Sequence, residues 1–247
     1  MQVSYASEAT PGRPNEDFVA AGPGWVVLLD GATAPPGVDS GCVHDPAWLV
    51  RRLGGQIAAR MALEDGKPLP DLVAEAIKVT GEAHTGTCDL ENPDSPSATV
   101  SLLRRRGGAV EWFVLADSPI VLDVGEIRVV RDDRVDRLPS YTLDAVRKAR
   151  NSPGGFWVAS TKPEAAYEGL TGEVPAAGLR RAAVLSDGAS RLVERFGLLD
   201  WNGLLRVLDD EGPRELVRRT RAAEEAEAEA VARGKRHDDA TAVLVRF

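Results

Sequence analysis

The feature that most constrains the fold is a change of hydrophobic period along the chain. Leu49, Leu53, Ile57 and Met61 recur every fourth residue, one apolar stripe of a helix. Asp45-Pro46 ahead of them reads as an N-cap with proline at the first helical position. Leu72, Val73, Ala76 and Ile77 give a second helix over Leu72 to Thr80. The pattern then shortens. Thr99 to Leu103, Val110 to Leu115, Ile120 to Val124 and Ile127 to Val130 read as four strands of an antiparallel meander. Gly125-Glu126 suits a two-residue hairpin turn between the last two, and Gly107-Gly108 a turn between the first two. Further strands are expected at Val26 to Leu29, Phe156 to Ala159, Ala182 to Leu185 and Ala240 to Val245. Helices are expected over Trp201 to Leu208 and Glu215 to Arg233, with Gly234 as C-cap. Strands and helices in separate blocks, with no linker or repeat, predict one α+β domain over residues 1–247, helices packed outside antiparallel sheets.

Composition then narrows the function. The formal net charge of −8 argues against nucleic-acid binding, which needs a basic face. No apolar run approaches the ~20 residues of a membrane span, and the first residues lack a basic-then-apolar secretory pattern. The expectation is a cytoplasmic monomer with no membrane partner. Cys42 and Cys88 are expected as free thiols in a reducing cytosol. Neither lies in a CxxC pattern, which argues against a zinc site built on thiolates.

Four acidic spots share a local setting: Asp17 in Asn15-Glu16-Asp17, Asp30 in Leu29-Asp30-Gly31, Asp187 in Ser186-Asp187-Gly188, and Asp238 in Asp238-Asp239-Ala240. Three adjoin an apolar strand. A carboxylate at a buried strand end needs a cation, an arginine or several N–H donors. Several brought together repel unless metal ions lie between them, and such hard oxygen ligands suit Mg²⁺ or Mn²⁺. Taken singly, Asp-Gly is also a common turn dipeptide. The other acids, Asp39, Asp45, Asp132, Asp133, Asp209 and Asp210, read as turn or helix-end residues, and the Glu-Ala repeat from Glu224 to Ala230 as a solvated helix face.

In order along the chain, Asn15-Glu16-Asp17, Asp30-Gly31, Ser97-Ala98-Thr99-Val100, Ala116-Asp117-Ser118, Ser186-Asp187-Gly188 and Asp238-Asp239-Ala240-Thr241 resemble the motifs of the PP2C family of metal-dependent protein serine/threonine phosphatases. The resemblance spans almost the whole chain. It implies a four-layer αββα sandwich, two antiparallel sheets flanked by helix pairs, with two or three Mn²⁺ or Mg²⁺ ions at one end. It further implies that Asp30 bridges two metals, that the Gly31 carbonyl binds one, and that Asp187 and Asp238 complete the first site. Asp17 and Glu16 would support it directly or through water, and Asp117 would help hold a third, weaker metal. The implied reaction is hydrolysis of a phosphoserine or phosphothreonine protein, or of a small phosphate ester, by metal-activated water.

The chain departs from the family pattern in three places. Arg13, the candidate for gripping the substrate phosphate, stands one residue closer to the acidic motif than usual, and reads equally as a solvated loop arginine. Ala32 occupies the place of a histidine that protonates the leaving group; His44 is the nearest substitute, or else a polar residue of a helix-entry loop. Ala116 and Pro119 flank Asp117-Ser118 where the family has glycine and arginine. These departures leave open a PP2C-like module that binds a partner or ligand without turnover. A sugar hydrolase with paired carboxylates is a weaker reading, because it gives no reason for acids at Asp-Gly strand ends. Residues Tyr141 to Thr171 are where substrate specificity is expected.

Overall fold

Strands β1 (Gln2–Glu8), β2 (Asp17–Gly22) and β3 (Trp25–Ala32) precede helices α1 (Pro46–Leu63) and α2 (Leu69–Glu82). Strands β4 (Ser97–Ala98), β5 (Val100–Arg106), β6 (Ala109–Leu115), β7 (Ile120–Asp123) and β8 (Ile127–Val130) follow, then helix α3 (Leu143–Ala149). Strands β9 (Leu170–Pro175) and β10 (Arg181–Leu185) lead to α4 (Asp187–Glu194), α5 (Trp201–Asp210), α6 (Pro213–Ala226) and the closing strand β11 (Ala240–Arg246). This computed structural model describes residues 1–32, 37–63, 66–84, 86–227 and 235–247.

Two antiparallel sheets form. One has the order β1-β11-β10-β7-β8, the other β2-β3-β5-β6-β9, with β4 added on β3. Alternation along each strand sends side chains to opposite faces, and three apolar layers result. Val26 and Leu28 of β3 meet Val184 of β10 and Val243 of β11 between the sheets. Val27 and Leu29 face the other way, onto Leu49, Leu53, Ile57 and Met61 of α1 and Leu72 and Ile77 of α2. Ala183, Leu185 and Leu244 pack against Leu192, Leu204, Leu208 and Leu216 of α4 to α6. The architecture is therefore helix, sheet, sheet, helix, as the motif order implies. The α1 start matches its sequence signal: Asp45 Oδ1 accepts from the Trp48 amide at 2.7 Å.

Several local expectations fail for physical reasons. The meander over residues 99–130 is split, since β6 lies in one sheet and β7 in the other. Ala116, at φ 71, turns the chain out of the sheet that holds β6, and the crossing carries Asp117. The β7–β8 turn is three residues long, because Val124 leaves the ladder and its amide donates to the Glu126 carbonyl. Phe156 to Ala159 makes only isolated bridges, Phe156 to Arg150 and Ala159 to Ala98; Phe156 and Trp157 are buried core residues. Helix α6 starts at Pro213 and ends at Ala226; the expected continuation over 228–233 and the Gly234 cap lie outside the described residues. Glu224 is fully buried rather than solvated. Strands β1, β2 and β9 and helices α3 and α4 had no expectation at all.

Candidate metal centre

Asp17 opens β2 and Asp30 nearly closes β3, and the two stand opposite each other in the antiparallel register. Asp187 starts α4 directly after β10, and its amide donates to Asp30 Oδ2 at 3.2 Å, a bond from one sheet's side of the sandwich to the other's. Asp238 lies just before β11, the neighbour of β10. Asp117 sits in the crossing between sheets. Five carboxylates that are up to 221 positions apart in the chain thus meet at one end of the sandwich.

The two Asp-Gly pairs are not turns. Neither glycine has positive φ. Each is there because backbone passes too close for a side chain. A Cβ on Gly31 would lie 2.6 Å from the Glu16 carbonyl oxygen, to which Gly31 N donates at 3.0 Å. A Cβ on Gly188 would lie 1.9 Å from the Asp239 carbonyl oxygen. The glycines let the acidic segments close on one another, which answers the bland reading of both motifs.

The electrostatics show what the cluster lacks. Asp17 is 8% exposed, and both its carboxylate oxygens are buried without a hydrogen-bond partner among the described residues. Burial pushes its carboxyl up to about 7, with Asp239 and Asp187 adding to the rise. The nearby Thr241 and Ser186 hydroxyls temper it, although their bonds run to Ser7 Oγ (2.7 Å) and from the Thr241 amide (2.8 Å). Burial, then Asp17, Asp187, Asp238 and Asp117 in turn, hold the Asp30 carboxyl well above the usual carboxylate range. Asp187 is pushed up to about 6, first by the protein packed around it and next by Asp238. Asp187 keeps contact with solvent, so water offsets part of both effects. Burial also raises Asp117, against the pull of Arg131. Crowded, mutually repelling oxygen donors with two orphaned oxygens fit a hard divalent cation.

Part of the charge is already answered. Arg191 Nη2 donates to Asp238 Oδ2 at 2.8 Å, and Lys235 Nζ lies 3.3 Å from Asp238 Oδ1. Arg191 also binds Glu224 at 2.7 Å, and Glu224 binds Arg221 at 2.8 Å and faces His237 Nδ1 at 3.0 Å. Arg221 Nη1 in turn donates to the Asp238 carbonyl at 2.6 Å. This buried network fixes Asp238 from behind. Only the fold reveals it, because Glu224 sits in a charged helix that reads as a solvated face.

Two further groups order the site. Thr99 Oγ1 accepts from the Asp30 amide at 3.1 Å and lies 2.7 Å from Ser118 Oγ, joining the Asp30 motif to the Asp117 crossing. Asp239 accepts from the Thr10 and Glu16 amides at 2.6 Å each. It so tethers the loop that carries Arg13 and Glu16, and those two side chains share with Asp238 and Lys235 the lining of a cleft of ≈ 260 Å³. Arg13 is exposed there. His44 is placed elsewhere. Its ring stacks on Trp48 with centroids 3.8 Å apart, and its Nδ1 faces the sulfurs of Cys42 (3.6 Å) and Cys88 (3.5 Å). The stretch from Tyr141 contributes α3, which buries none of its own residues, while Phe156 and Val158 pack on Ala116 beside Asp117.

The sequence matches the family profile described as Protein phosphatase 2C over residues 6–225. No curated protein matches it. Among solved structures, the serine/threonine phosphatase Stp1 from Staphylococcus aureus superposes with a TM-score of 0.65 at 13% identity, covering 100% of this chain and 94% of its own. The PPM Ser-Thr phosphatase MsPP from Mycobacterium smegmatis, in complex with cacodylate, gives 0.62 at 18% identity, over 100% and 98%. The Mycobacterium tuberculosis serine/threonine phosphatase PstP/Ppp gives 0.60 at 20% identity, over 98% and 97%. At these identities the structures show a shared fold.

Proposed function

The chain belongs to the protein phosphatase 2C family, and on that footing we propose that it is a Mn²⁺- or Mg²⁺-dependent phosphatase acting on phosphoserine or phosphothreonine in proteins, or on a small phosphate monoester. The observation that carries this reading is the convergence of Asp17, Asp30, Asp117, Asp187 and Asp238, whose charges raise one another, while the cations that the described residues bring to them, Lys235 and Arg191 at Asp238 and Arg131 at Asp117, stand at the edge of the group.

In this proposal Asp30, the Gly31 carbonyl, Asp187 and Asp238 would hold the first ions, Asp17 and Glu16 would support them directly or through water, and Asp117 would help hold a third. Divalent ions held there would supply an activated water and neutralise charge on the phosphoryl oxygens. Arg13, in the loop held by Asp239, receives the substrate phosphate at the cleft mouth, where its guanidinium can donate two parallel hydrogen bonds. Thr99 keeps Asp30 in register with the Asp117 crossing. His44, turned to two thiols, takes no part in the proposed chemistry. Among the described residues no helix is long and apolar enough to cross a membrane.

A second reading is a module of the same fold that binds a partner or ligand without turnover. The engagement of His44 away from the aspartates and the pairing of Asp238 with Arg191 and Lys235 favour it. The two readings part on one experiment: hydrolysis of p-nitrophenyl phosphate and of a phosphothreonine peptide with Mn²⁺, with Mg²⁺ and with EDTA, for wild type and Asp30→Asn. The phosphatase reading expects metal-dependent turnover that Asp30→Asn abolishes while the fold survives. Turnover unchanged in Asp30→Asn refutes the assignment of the site. Mn²⁺ binding with no turnover of either substrate selects the binding module.

A further inference from the structure

Away from the aspartates, the loop before α1 and the segment after α2 bring two thiols and two imidazoles to a common point. Cys42 and His44 come from the first, His84 and Cys88 from the second, and one ligand atom from each lies within 4.8 Å of all the others. Cys42 Sγ is 3.5 Å from His84 Nδ1 and 3.6 Å from His44 Nδ1, and Cys88 Sγ is 3.5 Å from His44 Nδ1. The sulfurs are 3.3 Å apart and unbonded. From these positions we propose a second metal site in this chain, a Cys₂His₂ centre that holds one Zn²⁺ and clips the two loops together. It does not rest on the proposed phosphatase activity.

The geometry carries the assignment. A tetrahedral zinc ion with Zn–S of about 2.3 Å and Zn–N of about 2.0–2.1 Å sets S···N edges of about 3.5–3.6 Å and an S···S edge of about 3.8 Å. The three S···N separations above already have that length. The sulfurs need to part by about 0.5 Å, the direction in which two thiolates around a cation move. Soft sulfur and imidazole donors select zinc over the Mg²⁺ or Mn²⁺ suited to the aspartates. Four protein ligands leave no open position, so the site is structural.

The surroundings are those of a built site. His84 is 5% exposed, and Trp48 walls both rings, stacked on His44 and edge-on to His84. The His44 amide donates toward Cys42 Sγ at 3.4 Å, and Thr87 Oγ1 lies 3.5 Å from Cys88 Sγ, the outer contacts that tune thiolate ligands. Backbone stitches bring the loops together: Asp89 N donates to the Gly41 carbonyl at 2.7 Å, and Asn92 Nδ2 to the Asp39 carbonyl at 3.2 Å. The lack of a CxxC motif gave the opposite expectation because the ligands come as Cys-x-His and His-x₃-Cys, from loops separated by two helices. The clip stands next to the aspartate centre: Pro46, two residues after His44, lies against Gly31, and Ser97-Ala98 pair with Gly31-Ala32.

The test uses the whole wild-type chain, purified in Mg²⁺ buffer. Metal analysis is expected to find about one zinc per chain. Exchange into Co²⁺ is expected to give a thiolate-to-cobalt charge-transfer band with the intense visible bands of a tetrahedral site. Zinc should protect Cys42 and Cys88 from alkylation, and EDTA should expose both. Cys42→Ser and Cys88→Ser should lose the zinc and the charge-transfer band, whereas Asp30→Asn should keep both, which separates this site from the aspartates. If the serine variants do not fold, the cobalt spectrum and alkylation protection of the wild type decide alone. A zinc-free protein whose cobalt spectrum lacks the thiolate band overturns the proposal, as does a Cys42–Cys88 disulfide formed in zinc-replete protein.

Discussion

Glu224→Gln tests whether the network behind Asp238 holds the candidate centre in shape. Glu224 is 0% exposed, and its two oxygens take three contacts: Arg191 Nη1 at 2.7 Å on one, Arg221 Nη1 at 2.8 Å and His237 Nδ1 at 3.0 Å on the other. A glutamine keeps one oxygen and turns an amide NH₂ toward the second pair. If the oxygen stays with Arg191, Arg221 Nη1 meets a donor, and one charge-assisted bond worth about 1.5–3 kcal/mol is lost. The Arg191 bond, now to a neutral acceptor, falls to about half its strength, a further ~1 kcal/mol. Arg221 keeps the Asp238 and Glu8 carbonyls, so it is not left wholly unpaired. The expected loss is about 3 kcal/mol, near the low end for breaking a buried ionic group. In a chain of this size that lowers Tm by about 6–12 °C. Arg191, relieved of one carboxylate, draws closer to Asp238 and competes with a cation there, so Mn²⁺ affinity falls as well. Thermal denaturation and Mn²⁺ calorimetry on the same preparation read both effects. A variant that melts within ~2 °C of wild type with unaltered Mn²⁺ affinity would show that this network neither stabilises the fold nor positions Asp238.

Gly188→Ala places a Cβ 1.9 Å from the Asp239 carbonyl oxygen, a backbone atom that cannot swing aside. A loss of at least 1–3 kcal/mol, roughly the cost of overpacking, and weakened Mn²⁺ binding are expected; wild-type urea midpoint and affinity would refute the close-approach account. Arg13→Ala should raise KM for a phosphate ester by about tenfold, the loss of about one charge-assisted bond, with kcat little changed; an unaltered KM removes Arg13 from the site. Asp123 gives the pH dependence. Burial raises its carboxyl, but hydrogen bonds from Arg180, Arg181 and the Gly125 amide outweigh it and hold the pKa below the ordinary 3.8. A depressed folded pKa gives stability that is present above the unfolded value and lost as pH falls through the folded one. Urea titrations from neutral pH down to about 2 should therefore show wild type losing its advantage over Asp123→Asn only below about pH 4; a constant difference across that range would mean the ion pairs are not responsible.

What the sequence disclosed, and what it hid, follows the reach of each signal. The α1 stripe, the Asp45 cap and strands β3, β5, β6 and β10 are legible because periodicity and caps act within one element. The aspartates were legible as a set because each sits at an element end, where a charge next to an apolar run demands a reason. Their mutual distance was not, and neither was the meaning of the glycines: an Asp-Gly turn and an Asp-Gly close approach are written alike, and only the carbonyls of Glu16 and Asp239 distinguish them. The exchange of sheets at Ala116 hid behind strands that looked like one meander. An alanine at φ 71 is uncommon enough that no local rule selects it.

The same limit explains why charge reads so poorly from sequence here. Glu224 in a Glu-Ala run looks solvated, yet it is buried, as is Asp123 within the expected strand Ile120 to Val124, because arginine partners arrive from other elements. His44 shows the reverse case. Its place in the chain, just after the Asp30 motif, suggested work at the aspartates, but the return of the chain after α2 sets His84 and Cys88 against it. The two loops converge because α1 and α2 form an antiparallel pair on one sheet, so the start of the first helix and the end of the second come to the same end of the layer. That end is also where β3 delivers Asp30 and Gly31. One helix hairpin therefore brings a sulfur–imidazole cluster and a carboxylate cluster to neighbouring sites, with donor chemistry different enough to sort a soft ion from hard ones.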